Sequence, residues 1–253
     1  MIMVTIIVIL PAVLPTSPTT IDTNNLLASP SWDHLFGTDQ LGRDVATRMV
    51  YGARYSLLVA FASALVALIA GSIIGAVAAC GSRWIDEIIM RVTDVGLAFP
   101  GILLAIVLAA VFGPSLPTTI VVLGILFTPP MARVVRAAVI DQYGEDYVTA
   151  ARVMGTGPIR LIGYHIGVNA ATSVAVYTTV VMAIGVLAEA ALSFLGAGIK
   201  PPTPSWGNII ADGQTVANAG AWWVSLFPGL AIVLTVLSFN RFSEALGRRL
   251  RAR

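Results

Sequence analysis

Apolar residues fill this chain in long unbroken blocks, not in the period-two alternation of a half-buried strand. Stretches free of Asp, Glu, Lys and Arg cover residues 1–21, 55–82, 95–132, 161–188 and 213–240. About 20 apolar residues in a helix cross the hydrocarbon core of a bilayer, so each block has room for a span. The block 95–132 is interrupted by Phe112-Gly113-Pro114-Ser115-Leu116-Pro117, where glycine and two prolines end one helix and open another. The pattern therefore predicts six spans, Ile2–Leu14, Tyr55–Ala79, Leu97–Phe112, Thr118–Ile140, Ala170–Leu195 and Trp222–Phe239. The first has no cationic start and meets Pro11 early, so it reads as a short or truncated span and not as a cleaved leader.

Composition agrees with an all-α membrane protein. Hydrophobic residues make up 57% of the 253 positions and charged ones only 11%, against roughly a quarter charged in a soluble domain. A soluble globular fold and a disordered tail are excluded, and the single cysteine, Cys80, permits no internal disulfide. Six spans put both termini on one side. Arg83, Arg91, Arg133, Arg136, Arg152, Arg160, Arg241, Arg248, Arg249, Arg251 and Arg253 then share that side, facing only Arg43, Arg48, Arg54 and Lys200 on the other. Short Lys/Arg-rich loops stay cytoplasmic, so the expectation is a multi-pass protein with both termini inside. Its parts are a first span (1–21), an outer segment (22–54) and a five-helix core (55–253) with an inner loop 141–168 and an outer loop 196–221.

Candidate chemistry is sparse and sits in the polar insertions. In the inner loop Glu145 and Asp146 open a helix, where carboxylates suit the exposed N–H groups. Tyr147, Ala151 and Met154 fall on one face, Gly155 and Gly157 stop the helix, and Pro158 starts a second one. Ala150, Ala151 and Gly155 leave space for another protein to approach. Glu189 lies inside the fifth predicted span, an expensive position that implies a bundle interior, water or a neighbouring subunit. Asp94 reads as the opening residue of the third span. Gly71-Ser-Ile-Ile-Gly75 predicts a close helix contact. In the outer segment Asp39, Arg43 and Asp44 predict an ion-paired turn, with His34 beside Asp33 as a lone polar pair; neither group has the ligand pattern of a metal site. No Gly-x-x-x-x-Gly-Lys-Ser/Thr phosphate loop occurs, so no nucleotide is held that way. His-Glu-x-x-His is absent, and His34 and His165 fall on opposite sides of the membrane, which argues against a membrane enzyme. A secondary transporter would carry coupling residues at mid-membrane depth, where Glu189 stands alone.

Three segments carry a resemblance. Glu145-x-x-x-x-Ala150-Ala151-x-x-x-Gly155, followed by Ile159-x-x-x-x-x-His165-Ile166-x-x-Asn169, is similar to the "EAA" loop of permease subunits in bacterial ABC importers. His34-Leu-Phe-Gly-Thr-Asp-Gln-Leu-Gly-Arg-Asp44, with Arg48 and Tyr51-Gly-Ala-Arg54 after it, resembles the segment after the first span in the peptide-importer branch. Leu192-Ser-Phe-Leu-Gly-Ala-Gly-Ile-Lys-Pro-Pro-Thr-Pro-Ser-Trp-Gly-Asn208 resembles the corresponding late segment of its C-type dipeptide/oligopeptide subunit. The resemblance spans about His34 to Leu246. It departs at Gly167-Val168, where the family has Leu-Pro before the residue matched by Asn169, so the fifth span is expected to begin less sharply.

The resemblance implies a type I importer permease in a bacterial inner membrane. Its coupling helix, built from Glu145, Tyr147, Ala150, Ala151, Arg152, Gly155 and Ile159, would dock on an ATPase. The implied partners are a second permease subunit, two ATPase domains that bind the ATP and Mg, and an extracytoplasmic binding protein, with no nucleic acid and no cofactor in this chain. Glu189, Asp94 and Trp206 are candidates for the translocation path or the subunit interface. Trp206, after Pro201, Pro202 and Pro204, reads either as facing a vestibule or docked binding protein or as anchored at the headgroups, where Trp222 and Trp223 are also placed. Dipeptides or oligopeptides are the implied cargo, with nickel chelates, glutathione and other small solutes as alternatives.

Overall fold

The computed structural model describes residues 17–157 and 160–251, among which no β-strand occurs. The described α-helices are α1 (Val45–Cys80), α2 (Arg83–Ala98), α3 (Gly101–Phe112), α4 (Leu116–Tyr143), α5 (Asp146–Val153), α6 (Gly167–Phe194), α7 (Trp206–Thr215) and α8 (Trp223–Arg251). A π-helical turn, Leu161–Ile166, runs straight into α6. Among the described residues four helices are long and apolar enough to cross a membrane: α1, α4, α6 with its π-turn, and α8. Counting α2 and α3 as one broken span makes a fifth. The first predicted span, Ile2–Leu14, lies outside the described residues.

The third predicted span requires correction. Leu97–Phe112 is not one straight helix, because α2 and α3 meet at a bend of 86°. Pro100 disfavours helical backbone at the residue before it, and Phe99 is extended at φ −84°, ψ 138°. Asp94 consequently opens no helix; it sits in the last turns of α2, where the macrodipole disfavours a carboxylate. Arg133 on α4 pairs with it instead, and Arg136 forks onto Asp86 with both contacts at 2.5 Å.

Span boundaries shift for readable reasons. α1 begins at Val45, not Tyr55, because Asp44 caps it by accepting from the Thr47 N–H at 2.7 Å. Ser115 caps α4 in the same way with Pro117 in the first turn, and Pro129-Pro130 is carried inside that helix. The predicted second short helix of the inner loop is the opening of a span: with Gly167-Val168 in place of a proline, the π-turn and α6 continue without a break.

Glycines set the packing. On α1, a Cβ at Gly71 would stand 2.6 Å from Met131 Cγ, and one at Gly75 would stand 2.4 Å from the Ala132 carbonyl oxygen. Gly124 meets Val66 equally closely, so α1 and α4 run side by side in the same direction with backbones near contact. The predicted close contact at Gly71 and Gly75 is thus made within the chain. α6 runs the other way, its Gly185 against the backbone of Ala60, and α8 returns beside α6 with Gly247 facing Val176. Val59, Ala64 and Ala67 of α1, Leu123, Phe127 and Met131 of α4 and Val181 of α6 fill the core. This frame separates two polar ends: residues 17–44 with 195–222 at one (the loop end), and α5 with its flanks at the other.

Candidate functional site

At the α5 end the sequence builds a short helix with firm stops. Glu145 is its N-cap residue and Asp146 its first helical one. At the other end Gly155 takes φ +79°, its N–H reaches the Arg152 carbonyl at 2.9 Å, and the Thr156 N–H reaches the Ala151 carbonyl at 3.0 Å. That pair of bonds is a Schellman stop, and glycine is there for its left-handed backbone: a Cβ would meet nothing within 4 Å. Val148 and Ala151 are buried and anchor α5 against Val139, Leu161 and Ile166. Tyr147 donates to Gln142 at 2.7 Å, and the Arg152 guanidinium lies 5.0 Å over the Tyr143 ring.

The outward surface mixes polar Asp146, Thr149 and Arg152 with apolar side chains. Ala150 is exposed, Val153 is 84% exposed and Met154 76%. Ala151, grouped by spacing with Met154, faces the chain's own core, while Met154 at the cap turns away from it. Val153 was not among the expected residues; its signal is an apolar side chain in the last turn of a polar loop helix. Ile159 lies outside the described residues.

The loop end is held by charge and by two indoles. Asp39 is fully buried; its Oδ1 accepts from the N–H groups of Leu41 and Arg43, and its Oδ2 from Arg43 Nε at 2.7 Å and from Arg48. The two arginines then reach across to Asp212 on α7, at 3.2 and 2.8 Å. The predicted Asp39–Arg43 turn is present, and gains Arg48 and Asp212. His34 does not pair with Asp33; its Nδ1 lies 3.0 Å from Asp44 Oδ2. Trp206 is 3% exposed and faces neither a vestibule nor a headgroup layer: its Nε1–H donates to the Met49 carbonyl at 3.1 Å inside the fold. Trp223 is buried as well, donating to the Thr38 carbonyl at 3.1 Å, whereas Trp222 is exposed. A buried indole needs an acceptor for its N–H, and backbone carbonyls supply it. Glu189 is fully enclosed, accepting from Ser193 Oγ at 2.6 Å, in a nest described below.

Residues 67–252 match the family described as the binding-protein-dependent transport system inner membrane component. The chain belongs to this family. Relatives support it along most of the length. A putative peptide transport system permease protein of Brucella suis is 45% identical over 217 residues, 86% of this chain and 73% of that protein. The dipeptide transport system permease protein DppC of Alkalihalophilus pseudofirmus is 42% identical over 237 residues, 93% of this chain and 78% of its own. Solved structures agree on the fold. A chain of the methionine ABC transporter MetNI in an inward-facing conformation superposes with a TM-score of 0.63 at 18% identity, covering 79% of this chain and 96% of its own. A chain of an amino acid ABC transporter crystallised with histidines gives 0.64 at 17%, covering 81% and 94%. The fold is that of type I importer permeases, and this family member is a multi-pass membrane protein.

Within that family fold, the expected site residues separate into two groups. Glu145, Tyr147, Ala150, Ala151, Arg152 and Gly155 cluster at the α5 end, while Asp94 stands apart from them on α2, paired with Arg133 of α4. Glu189 and Trp206 lie together at the loop end, inside the chain. No group of three or more His, Cys, Asp or Glu side chains able to hold a metal occurs among the described residues.

Proposed function

We propose that this chain is one transmembrane subunit of an ATP-driven importer of dipeptides or oligopeptides. It lines half of the pathway and is moved by partner ATPases through the segment Glu145–Gly155. The α5 end faces the cytoplasm and the loop end faces outward. The other components are a second permease subunit, two ATPase domains that bind the ATP and Mg, and an extracytoplasmic binding protein. The observation that carries this reading is the α5 geometry in a chain whose relatives are named as peptide permeases. An eight-residue helix is fixed beneath by Val148 and Ala151 and stopped by Gly155, with Val153 and Met154 turned outward. Exposed apolar side chains on a rigid polar-loop helix suit the groove of another protein. The arginine asymmetry supports the orientation.

The test is co-expression with the cognate ATPases, second permease and binding protein, using Met154→Asp and Gly155→Arg. Both residues are exposed and outside the spans, and arginine at Gly155 also breaks the left-handed stop of α5, so insertion into the membrane is retained while co-purification of the ATPases and peptide uptake are lost. Full uptake by both variants would refute the assignment of α5.

A further inference from the structure

Helix α7 is clamped at two points, and only one of them uses charge. Towards its C-terminal end Asp212 holds Arg43 and Arg48. At its N-terminus the clamp is a nest of hydroxyl groups around Glu189. The Glu189 carboxyl is 0% exposed, and Oε2 has no hydrogen-bond partner among the described residues. Oε1 accepts from Ser193 Oγ. The hydroxyls of Ser56 on α1 and of Ser205, the N-cap of α7, stand beside the carboxyl, and both serines are fully buried.

Each of these hydroxyls already accepts an N–H. Ser56 Oγ takes that of Trp206 at 3.2 Å, Ser205 Oγ that of Asn208 at 3.3 Å, and Ser193 Oγ that of Ile199 at 3.1 Å. A hydroxyl that accepts one N–H keeps its own proton to give. The Glu189 carboxyl thus lies where α1, α6, the loop after α6 and α7 meet, bonded to Ser193 and with the Ser56 and Ser205 hydroxyls beside it. The first turn of α7 is seated directly on this point, since a Cβ at Gly207 would stand 2.3 Å from the Ala190 carbonyl oxygen. An acid that binds substrate needs a route to water, and one that pairs needs a cation. Here the exposure is zero, the neighbours are hydroxyls, and the charged groups Arg48 of α1 and Asp212 of α7 are engaged with each other.

We propose that Glu189 is a positioning residue that pins the outer helix α7 onto α1 and α6, and that transport depends on its hydrogen bonds, not on a negative charge or contact with cargo. The proposal rests on the importer reading for its transport arm alone. Glutamine keeps the oxygen that accepts from Ser193, at the same volume and without the charge.

The experiment uses the complete assembly in vesicles, with peptide uptake and amide hydrogen exchange across residues 206–215 as the two readouts. Glu189→Gln keeps uptake within about twofold of wild type and exchange unchanged, whereas Glu189→Ala lowers uptake about tenfold or more and raises exchange in α7. Where the alanine variant fails to assemble, Ser193→Ala serves in its place: Ser193 bonds Glu189 and the Ile199 N–H but no group of α7, so faster α7 exchange is expected and unchanged exchange counts against the pin. Glu189→Gln losing uptake as fully as Glu189→Ala would overturn the proposal, as would an alanine variant with normal exchange. An absence of ATP-driven uptake in the wild type counts against the importer reading and leaves the exchange arm to decide the pin.

Discussion

At the scale of single residues, the strongest constraint is Asp39. It is fully buried and accepts from two arginines and two backbone N–H groups, while the arginines also share Asp212. Removing one member of such a network strands the others, at about 3–5 kcal/mol for a buried charge. Asp39→Ala should therefore lower the thermal stability of the solubilised assembly sharply, and because the group is dry, added salt should change the loss little. An unaltered melting temperature would contradict this. Half of the network was legible in the sequence: Asp39 and Arg43 are four apart around a turn. Asp212 was not, because 164 residues separate it from Arg48 and only the fold brings them together. The same distance effect hid the partners of Trp206 and Trp223. Composition places tryptophan at an interface, but a buried N–H goes wherever a carbonyl is offered, here on Met49 and Thr38.

At the scale of elements, length and apolarity located every described span, while their ends followed caps that hydropathy does not weigh. Asp44 and Ser115 start α1 and α4 ahead of the predicted limits, and Phe99-Pro100 divides a block that looked continuous. Asp94 was misplaced for that reason: the uncharged run begins beside it, but α2 begins at Arg83. The Gly71/Gly75 face was legible from spacing alone, although spacing does not say which helix it meets. The structure gives α4, with a Cβ at Gly75 only 2.4 Å from the Ala132 oxygen. Gly75→Leu should force α1 and α4 apart and destabilise the assembly by about 1–3 kcal/mol or more, read as earlier aggregation on heating. Wild-type behaviour would mean that this contact is not tight. In α5 the stop at Gly155 was visible, but the outward turn of Val153 was not, since it depends on which face Val148 and Ala151 bury.

At the scale of the whole molecule, the described residues form a bundle with one polar end tied by buried charges and indole bonds and the other exposing apolar side chains on a short capped helix. Charge networks, indole bonds and the Glu189 nest tie the loop end into α1, α6 and α7. The α5 end offers Ala150, Val153 and Met154 on a capped helix beside the late turns of α4, where Arg133 and Arg136 hold α2. Force applied at α5 has a direct route into the spans through Val148 and Ala151, which pack in the same core as Val139 and Ile166. Under the proposed function the subunit is passive, moved by partners that hydrolyse ATP, and transport is expected to fail when the grip on α5 fails. The most direct measurement is ATP-driven peptide uptake into vesicles carrying the full assembly, compared between wild type and the double variant Val153→Asp/Met154→Asp at equal amounts of inserted protein. The account predicts uptake in the wild type that stops without ATP or without the ATPase subunits, and none in the double variant; uptake by the double variant at the wild-type rate would contradict it.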